Sequence, residues 1–278
     1  MNKTLAVKKS VVHLNPWGKL RQFTNARIGI GRAGTSIPTH ELLQFQLSHG
    51  QAIDAVHAPL NIELLCEQFN KSELLQPYLP VTVLQSKACN RMEYLQRPDL
   101  GRQLNEVSLY KLQEQSTEKA YDLVFVIADG LSSYAIAHHA TPFLEALVLR
   151  LNQIKPWRIA PIYIVEQGRV AVGDDICEAL NAKEVIVLIG ERPGLSSPDS
   201  MGLYLTWDAK QRKGDSSRNC ISNIRPQGLN YEAAANKCSY LISESQRIEL
   251  TGVSLKDRSE DIPLENNSTD TFSLTHNR

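Results

Sequence analysis

Hydrophobic and polar positions follow two different patterns along this chain, and the change falls near residue 118. Beyond it, unbroken apolar runs at 123–127, 160–165 and 185–189, rich in Val and Ile, are separated by amphipathic stretches. Runs of that length and composition suit strands buried on both faces. Between the first two, Ile136, Ala140, Phe143, Leu144, Leu147, Val148 and Leu151 recur at helical spacing and predict a helix with one apolar face. Asp174 stands where it can cap a short helix reaching about Ala182. Further strands are expected at 203–206 and within 218–224, and Asn230 caps a helix to about Gln246. Strands alternating with helices predict βαβ units and a parallel sheet. The strand ends at 129, 166–170, 190–194 and 220–224 are then expected along one edge, where open α/β sheets hold their ligands.

The chain before residue 118 reads as mainly helical. Residues 1–24 are polar and irregular and read as an arm. In 25–117, a helix capped by Thr39 is expected to run to about Val56, followed by a short helix at 60–70, a strand at 80–85 and a helix at about 100–114. Pro98 sits in the turn leading into that last helix. The polar stretch 115–120 marks a boundary, so the expected units are an arm (1–24), a helical region (25–117), a sheet domain (118–256) and a tail (257–278). The tail is polar and poor in aromatic residues, and disorder is expected there.

Composition narrows the function classes. Lys plus Arg equals Asp plus Glu at 30 each, which argues against a nucleic-acid binder with its basic excess. A neutral protein tends to associate, which points weakly to a surface covered by a partner. No apolar run is long enough for a membrane span, and the first residues lack the apolar core of a secretory signal, so a mature cytoplasmic protein is expected. The five cysteines, Cys66, Cys89, Cys177, Cys220 and Cys238, are odd in number and widely spaced. Reduced thiols are expected, with neither a disulfide framework nor a zinc site.

Candidate chemistry is sparse. Gly29, Gly31 and Gly34 spell G-x-G-x-x-G, and Asp54 follows at about the distance of a ribose-binding acid. A dinucleotide site would need a strand before the glycines and a helix opening on them. Here the preceding apolar run is short and Pro38 intervenes, so a glycine-rich loop is the plainer reading. His40, His49 and His57 lack the spacing of a ligand pair, and the adjacent His138 and His139 point about 100° apart on a helix. The run at 185–189 stops at Gly190, and Glu191-Arg192 follows on a Pro193-Gly194 turn. Glu191 could act as a general base, although Arg192 beside it would hold it ionised. Cys220 could be a reactive thiol, with no histidine assigned to it. G-x-S-x-G, H-E-x-x-H and the Walker A motif are all absent. A site without an evident reacting side chain suits a cofactor that brings its own chemistry.

Six segments carry a family resemblance: GRAG (31–34), YLQRPDLGR (94–102), VIADGLS (126–132), QGRVAVGDDI (167–176), LIGERPGLSSPDS (188–200) and RNCISNI (218–224). In that order they resemble the small (light) subunit family of ethanolamine ammonia-lyase. The resemblance implies a Rossmann-like parallel sheet domain with helices on both faces, preceded by a mainly helical N-terminal region. It implies adenosylcobalamin as cofactor, lying against a large TIM-barrel subunit that holds the substrate. It further implies conversion of ethanolamine to acetaldehyde and ammonia by a radical mechanism, in a dodecamer of six large and six small subunits. The family's cobalamin contacts carry over to Val170, Glu191 and Cys220, with Arg192 an open candidate. The family binds its cofactor base-on, and D-x-H-x-x-G, whose His replaces the cofactor's own base in other cobalamin proteins, does not occur in this sequence. Longer members carry an N-terminal extension linked to bacterial microcompartments, and this chain reaches the family core by about residue 25, so a free cytoplasmic and an encapsulated enzyme both stay open. The readings set against this one are a nicotinamide-dependent oxidoreductase using the 29–34 glycines and a non-catalytic scaffold subunit.

Overall fold

In the computed structural model, which describes residues 10–115, 120–210 and 213–259, the apolar runs lie at the centre of one sheet. The chain opens with two short strands, β1 (Val12–His13) and β2 (Arg32–Ala33), paired antiparallel. The helices α1 (Thr39–His57) and α2 (Ile62–Lys71) follow, then β3 (Thr82–Gln85), α3 (Arg91–Gln96) and α4 (Glu106–Gln115). The remainder runs β4 (Tyr121–Ala128), α5 (Ser133–Ile154), β5 (Tyr163–Glu166), α6 (Val172–Ala179), β6 (Ala182–Gly190), β7 (Met201–Trp207), β8 (Asn219–Ile224) and α7 (Tyr231–Ile248). The sheet has six strands in the order β3-β5-β4-β6-β7-β8. The stretch at 25–117 therefore supplies an edge strand to it as well as helices.

Strand β4 shows how the core is divided. Leu123, Phe125 and Ile127 pack with α5 and α7, whereas Val124, Val126 and Ala128 pack with α4 and α6. Both faces of the central strands are thus apolar and helix-covered, which is why they read as unbroken runs. The predicted apolar face of α5 is all buried, from Ile136 to Leu151. That burial, about 1.5–3 kcal/mol for each large side chain, outweighs the roughly 3 kcal/mol cost of Pro142 inside the helix. Asn230 caps α7 as expected, its side chain accepting from the Ala233 amide at 2.9 Å.

The expected parallel sheet is mainly, and not throughout, parallel. Strands β3, β5, β4 and β6 are parallel, but β7 runs antiparallel to β6 and β8 antiparallel to β7. The link 191–200 contains no helix and is too short for the crossover a parallel neighbour needs. Two caps also differ. Thr39 is the first helical residue after Pro38, and Asp174 lies inside α6, whose N-cap is Ala171. The first nine residues of the expected arm, 116–119 of the expected boundary, and the expected disordered tail from 260 onward lie outside the described residues.

Candidate functional site

Because β7 and β8 are packed by α5 and α7 on one side, their opposite face carries Gly202, Tyr204, Cys220 and Ser222 at alternating positions. Tyr204 and Cys220 are cross-strand partners. Cys220 and Ser222 are exposed, while Ile221 between them and Ile224 beyond them turn into the core. This open face borders a cavity of about 340 Å³ lined by Val170, Tyr204, Pro98, Arg102, Arg169 and Asp215. A second cavity of about 490 Å³ shares Arg102 and Asp215 with it, and these two side chains pair at 3.2 Å.

Glu191 stands at the rim of that face. It leaves β6 with its amide donating to the Ser200 carbonyl at 2.9 Å. Its carboxylate then folds back over Gly202, where an added Cβ would stand 2.8 Å from Oε1. The hydroxyls of Ser222 and Ser200 donate to Oε1 and Oε2, and the Asn223 amide donates to Oε2 at 3.3 Å. Arg192 is exposed and makes no ion pair among the described residues. The expected pairing of Arg192 with Glu191, set against the general-base reading, does not form; hydroxyls and an amide hold the carboxylate instead.

Val170 is placed by the loop 167–170 at the end of β5. The Asp129 carboxylate accepts from the Gln167 and Gly168 amides, each at 3.0 Å, and from its neighbour Gly130. Burial pushes that carboxyl up to about 6, against the three amides and the Arg91 guanidinium, which favour the anion. Tyr94 supports the loop from below. Its hydroxyl donates to the Gly168 carbonyl at 3.3 Å, and its ring lies between Arg169 and Arg91, whose guanidinium carbons are 4.4 and 4.9 Å from its centre. Gly101 lets the loop come close, since a Cβ there would stand 2.9 Å from Arg169 Cγ. Thus YLQRPDLGR and VIADGLS serve as supports for QGRV.

Cys220 does not sit at the carboxyl edge expected of it, because it lies near the start of β8, which runs in the same direction as β6. Ile224, the other end of β8, meets Met201 at the carboxyl edge, and Cys220 lies on the open face opposite Tyr204. Partial burial pushes its thiol up, the Tyr204 hydroxyl pulls it down, and the Glu191 carboxylate adds to the rise. A neutral thiol at pH 7 is a poor nucleophile and a poor metal ligand. Tyr204 and Glu191 act on the thiol in opposite directions, and both stand in its neighbourhood, Tyr204 as its cross-strand partner. Val170 joins that neighbourhood through Tyr204, with which it shares a cavity wall.

The loop 191–200 is pinned on its far side. Ser132 Oγ donates to the Pro198 carbonyl at 2.9 Å, and Asp199 pairs with Arg225 at 3.2 Å. His139, whose ring accepts or donates at 2.8 Å to Tyr231, stands 3.4 Å from Asp199, and burial lowers its pKa. Those contacts account for His139 without a metal. His138 bonds the Tyr134 carbonyl one turn back.

The model of the family described as ethanolamine ammonia-lyase light chain (EutC) matches residues 14–256. The chain belongs to this family. It is similar to the ethanolamine ammonia-lyase small subunit of Pseudomonas fluorescens, 49% identical over 253 residues that cover 90% of each chain. The corresponding small subunit of Azotobacter vinelandii is 49% identical over 248 residues, covering 88% of this chain and 90% of its own. That of Pseudomonas syringae pv. tomato is 46% identical over 256 residues, covering 91% and 87%.

For a member of this light-chain family, the 29–34 glycines have a different use from the dinucleotide one. Gly29, Gly31 and Gly34 all have positive φ, and they flank β2 in the small antiparallel ribbon. No strand-to-helix turn forms there, so the nicotinamide reading lacks its structural basis. Sequence reasoning missed Tyr204, Ser200, Gly202 and Ser222. The one local signal was the alternation of Cys220 and Ser222 within RNCISNI, which assigns them to the same face of a strand.

Proposed function

We propose that this chain is the small subunit of an ethanolamine ammonia-lyase, a carbon–nitrogen lyase, and that the open face of β7 and β8 forms one wall of its adenosylcobalamin cleft. The observation that carries this reading is Glu191, held as a fixed acceptor at the rim of a floor of half-buried Val170 and Tyr204 and exposed Cys220. The donor set suits the group. A corrin ring presents an apolar face and a periphery of amide side chains. Tyr204 and Val170 offer apolar contact, Glu191 accepts amide N–H bonds, and the neutral Cys220 thiol leaves the cobalt to its other ligands. When bound, the cofactor supplies a radical through homolysis of its cobalt–carbon bond. The residues of this chain bind and orient it and shield one side from water. The absence of D-x-H-x-x-G in the sequence supports base-on binding.

Several finer features go with this reading. The sheet is Rossmann-like, with its cofactor wall displaced onto the antiparallel β7–β8 flank, and residues 118–256 act as the cofactor domain behind a helical region. The cleft is one-sided, which supports closure by a large subunit that holds the substrate, in an assembly of six large and six small chains. Exposed Leu14, Trp17, Phe23, Leu43 and Leu47 supply apolar surface for that partner. No helix among the described residues is long and apolar enough to cross a membrane, and a cytoplasmic enzyme, free or within a microcompartment, fits that.

The test is co-expression with the large subunit and measurement of ethanolamine-dependent ammonia release with and without adenosylcobalamin. Release that requires the cofactor is expected, and Glu191→Ala should weaken cofactor affinity. Cofactor-independent release, or none from an assembled complex, overturns the proposal and leaves the scaffold reading.

A further inference from the structure

Glu191 has fewer free lone pairs than an isolated carboxylate, and this limits what it can bind. Oε2 accepts from both Ser200 Oγ and the Asn223 amide, so it is occupied. Oε1 accepts from Ser222 Oγ and keeps one open position. Ser200 is buried, 4% exposed, and serves only the carboxylate. Ser222 is exposed on the open face, two residues from Cys220. Its single proton is spent on Glu191, which leaves its oxygen as an acceptor toward the cleft. Gly202 admits the carboxylate close against β7, because a methyl group there would come within 2.8 Å of Oε1.

We propose that Glu191 Oε1 and Ser222 Oγ form a paired acceptor for one primary carboxamide, with Ser200 and Gly202 as positioning residues for the pair. Because Ser222 Oγ and Glu191 Oε1 stand at hydrogen-bond distance from each other, the two diverging N–H bonds of one nitrogen cannot meet one oxygen each; a single amide N–H is shared between both oxygens as a three-centre bond, and the second N–H faces the open cleft. A carboxylate or phosphate ligand would be repelled by the pair, so an N–H donor is the group it accepts. This inference rests on the cofactor reading of the site, and the amide it identifies belongs to the corrin periphery. It adds Ser222 to the binding residues and gives a use to the missing side chain at Gly202.

The experiment uses the assembled complex of both subunits and follows adenosylcobalamin affinity by absorbance titration, with the KM for ethanolamine as a second readout. Ser222→Ala is expected to weaken cofactor binding about tenfold, the scale of one hydrogen bond to a charged pair, with the ethanolamine KM unchanged. Ser222→Thr, which keeps the hydroxyl on a strand that tolerates β-branching, should restore the affinity. In a Glu191→Ala background Ser222→Ala should cost less than about twofold, because a pair acting as a unit is not additive. Two results overturn the pairing while leaving Glu191 in the site: normal affinity in Ser222→Ala, or a full additive loss in the double variant. If Glu191→Ala itself binds the cofactor normally in an assembled complex, the cofactor reading fails and the pairing goes with it. Gly202→Ala should weaken affinity as Glu191→Ala does; because that change can also disturb β7, Ser222→Ala and Ser222→Thr decide the matter.

Discussion

The Arg218 guanidinium closes on the Asp174 carboxylate through two bonds of 2.7 Å, with the two side chains 1% and 3% exposed. Arg218 immediately precedes β8 and stands two residues before Cys220, and Asp174 lies in α6 four residues beyond Val170. The pair therefore fixes the separation of two candidate contact residues that are distant in sequence. Arg218 also donates to Thr206 Oγ1 and to the Lys213 carbonyl, which draws the end of β7 into the same knot.

Removing one partner leaves a buried charge without compensation. Asp174→Ala should lower the stability of the purified chain by about 3–5 kcal/mol, read as a shifted midpoint in urea denaturation. Replacing both partners together with apolar residues of similar size, Asp174→Leu with Arg218→Met, should recover most of the loss. If the single change costs less than about 1 kcal/mol, the pair does not hold these elements together.

Glu184 gives a pH prediction. It is buried in β6 against Ser245 of α7, and burial pushes its carboxyl from the ordinary 4.5 up to about 8, with the Ser245 hydrogen bond pulling the other way. Ser245 Oγ also reaches the Ile242 carbonyl, so a protonated Glu184 can donate to that hydroxyl while the hydroxyl donates onward. The folded chain then holds a proton that the unfolded chain releases above pH 4.5. The associated stability is present in full below pH 4.5 and is lost as pH rises through about 8. Denaturation midpoints should fall across that window by a few kcal/mol in total, and Glu184→Gln should flatten the slope. An unchanged slope in that variant would assign the pH dependence to other groups.

Local chemistry made much of this fold legible. The runs at 123–127 and 185–189, the buried stripe of α5 and the Asn230 cap are statements about neighbours in sequence, and the structure carries all of them. The errors come from other sources. The run at 160–165 is a continuous strand only from Tyr163; the Ala160 amide already bonds the Leu123 carbonyl, but Pro161 has no N–H to donate and interrupts the pairing. The helix expected at about 100–114 is broken because Asn105 caps a new start, its side chain accepting from the Ser108 amide at 2.8 Å. The direction of β7 was recoverable from the short 191–200 link, but buried-strand composition does not encode direction. Glu191 was visible as a charge after a buried strand. Its partners Ser200, Gly202 and Ser222 were not, because they meet it only through the register of β6, β7 and β8.

The support beneath the 167–170 loop can be tested at Gly101. A Cβ there would meet Arg169 Cγ at 2.9 Å and the Gln167 carbonyl at 3.0 Å. Gly101→Ala should therefore displace the loop and Val170 with it, and weaken cofactor affinity several-fold in the assembled complex. Tyr94→Phe removes only the hydroxyl that donates to Gly168 and should cost about 0.5–1.5 kcal/mol of stability. Equal cofactor affinity in Gly101→Ala and the unmodified complex would show that the loop position does not matter to the cleft.

The surface of α1 carries a prediction about assembly. This helix spans Thr39–His57, yet Ala55 is its one buried residue, and Leu43 and Leu47 are 59% and 63% exposed. A helix with so little burial within its own chain derives little stability from tertiary packing. Its apolar residues lie on the side of the molecule where Gln51, Asp54 and Ala55 join Ser196 and Asp199 around a cavity of about 590 Å³, next to the loop that carries Glu191. Contact with the large subunit there would cover the exposed leucines and close the cleft in one step. Leu43→Glu with Leu47→Glu should leave the isolated chain folded, since neither residue is in its core, and should shift it from the complex to free chain in sedimentation velocity. A complex that forms with unchanged stoichiometry and affinity would place the partner on another face.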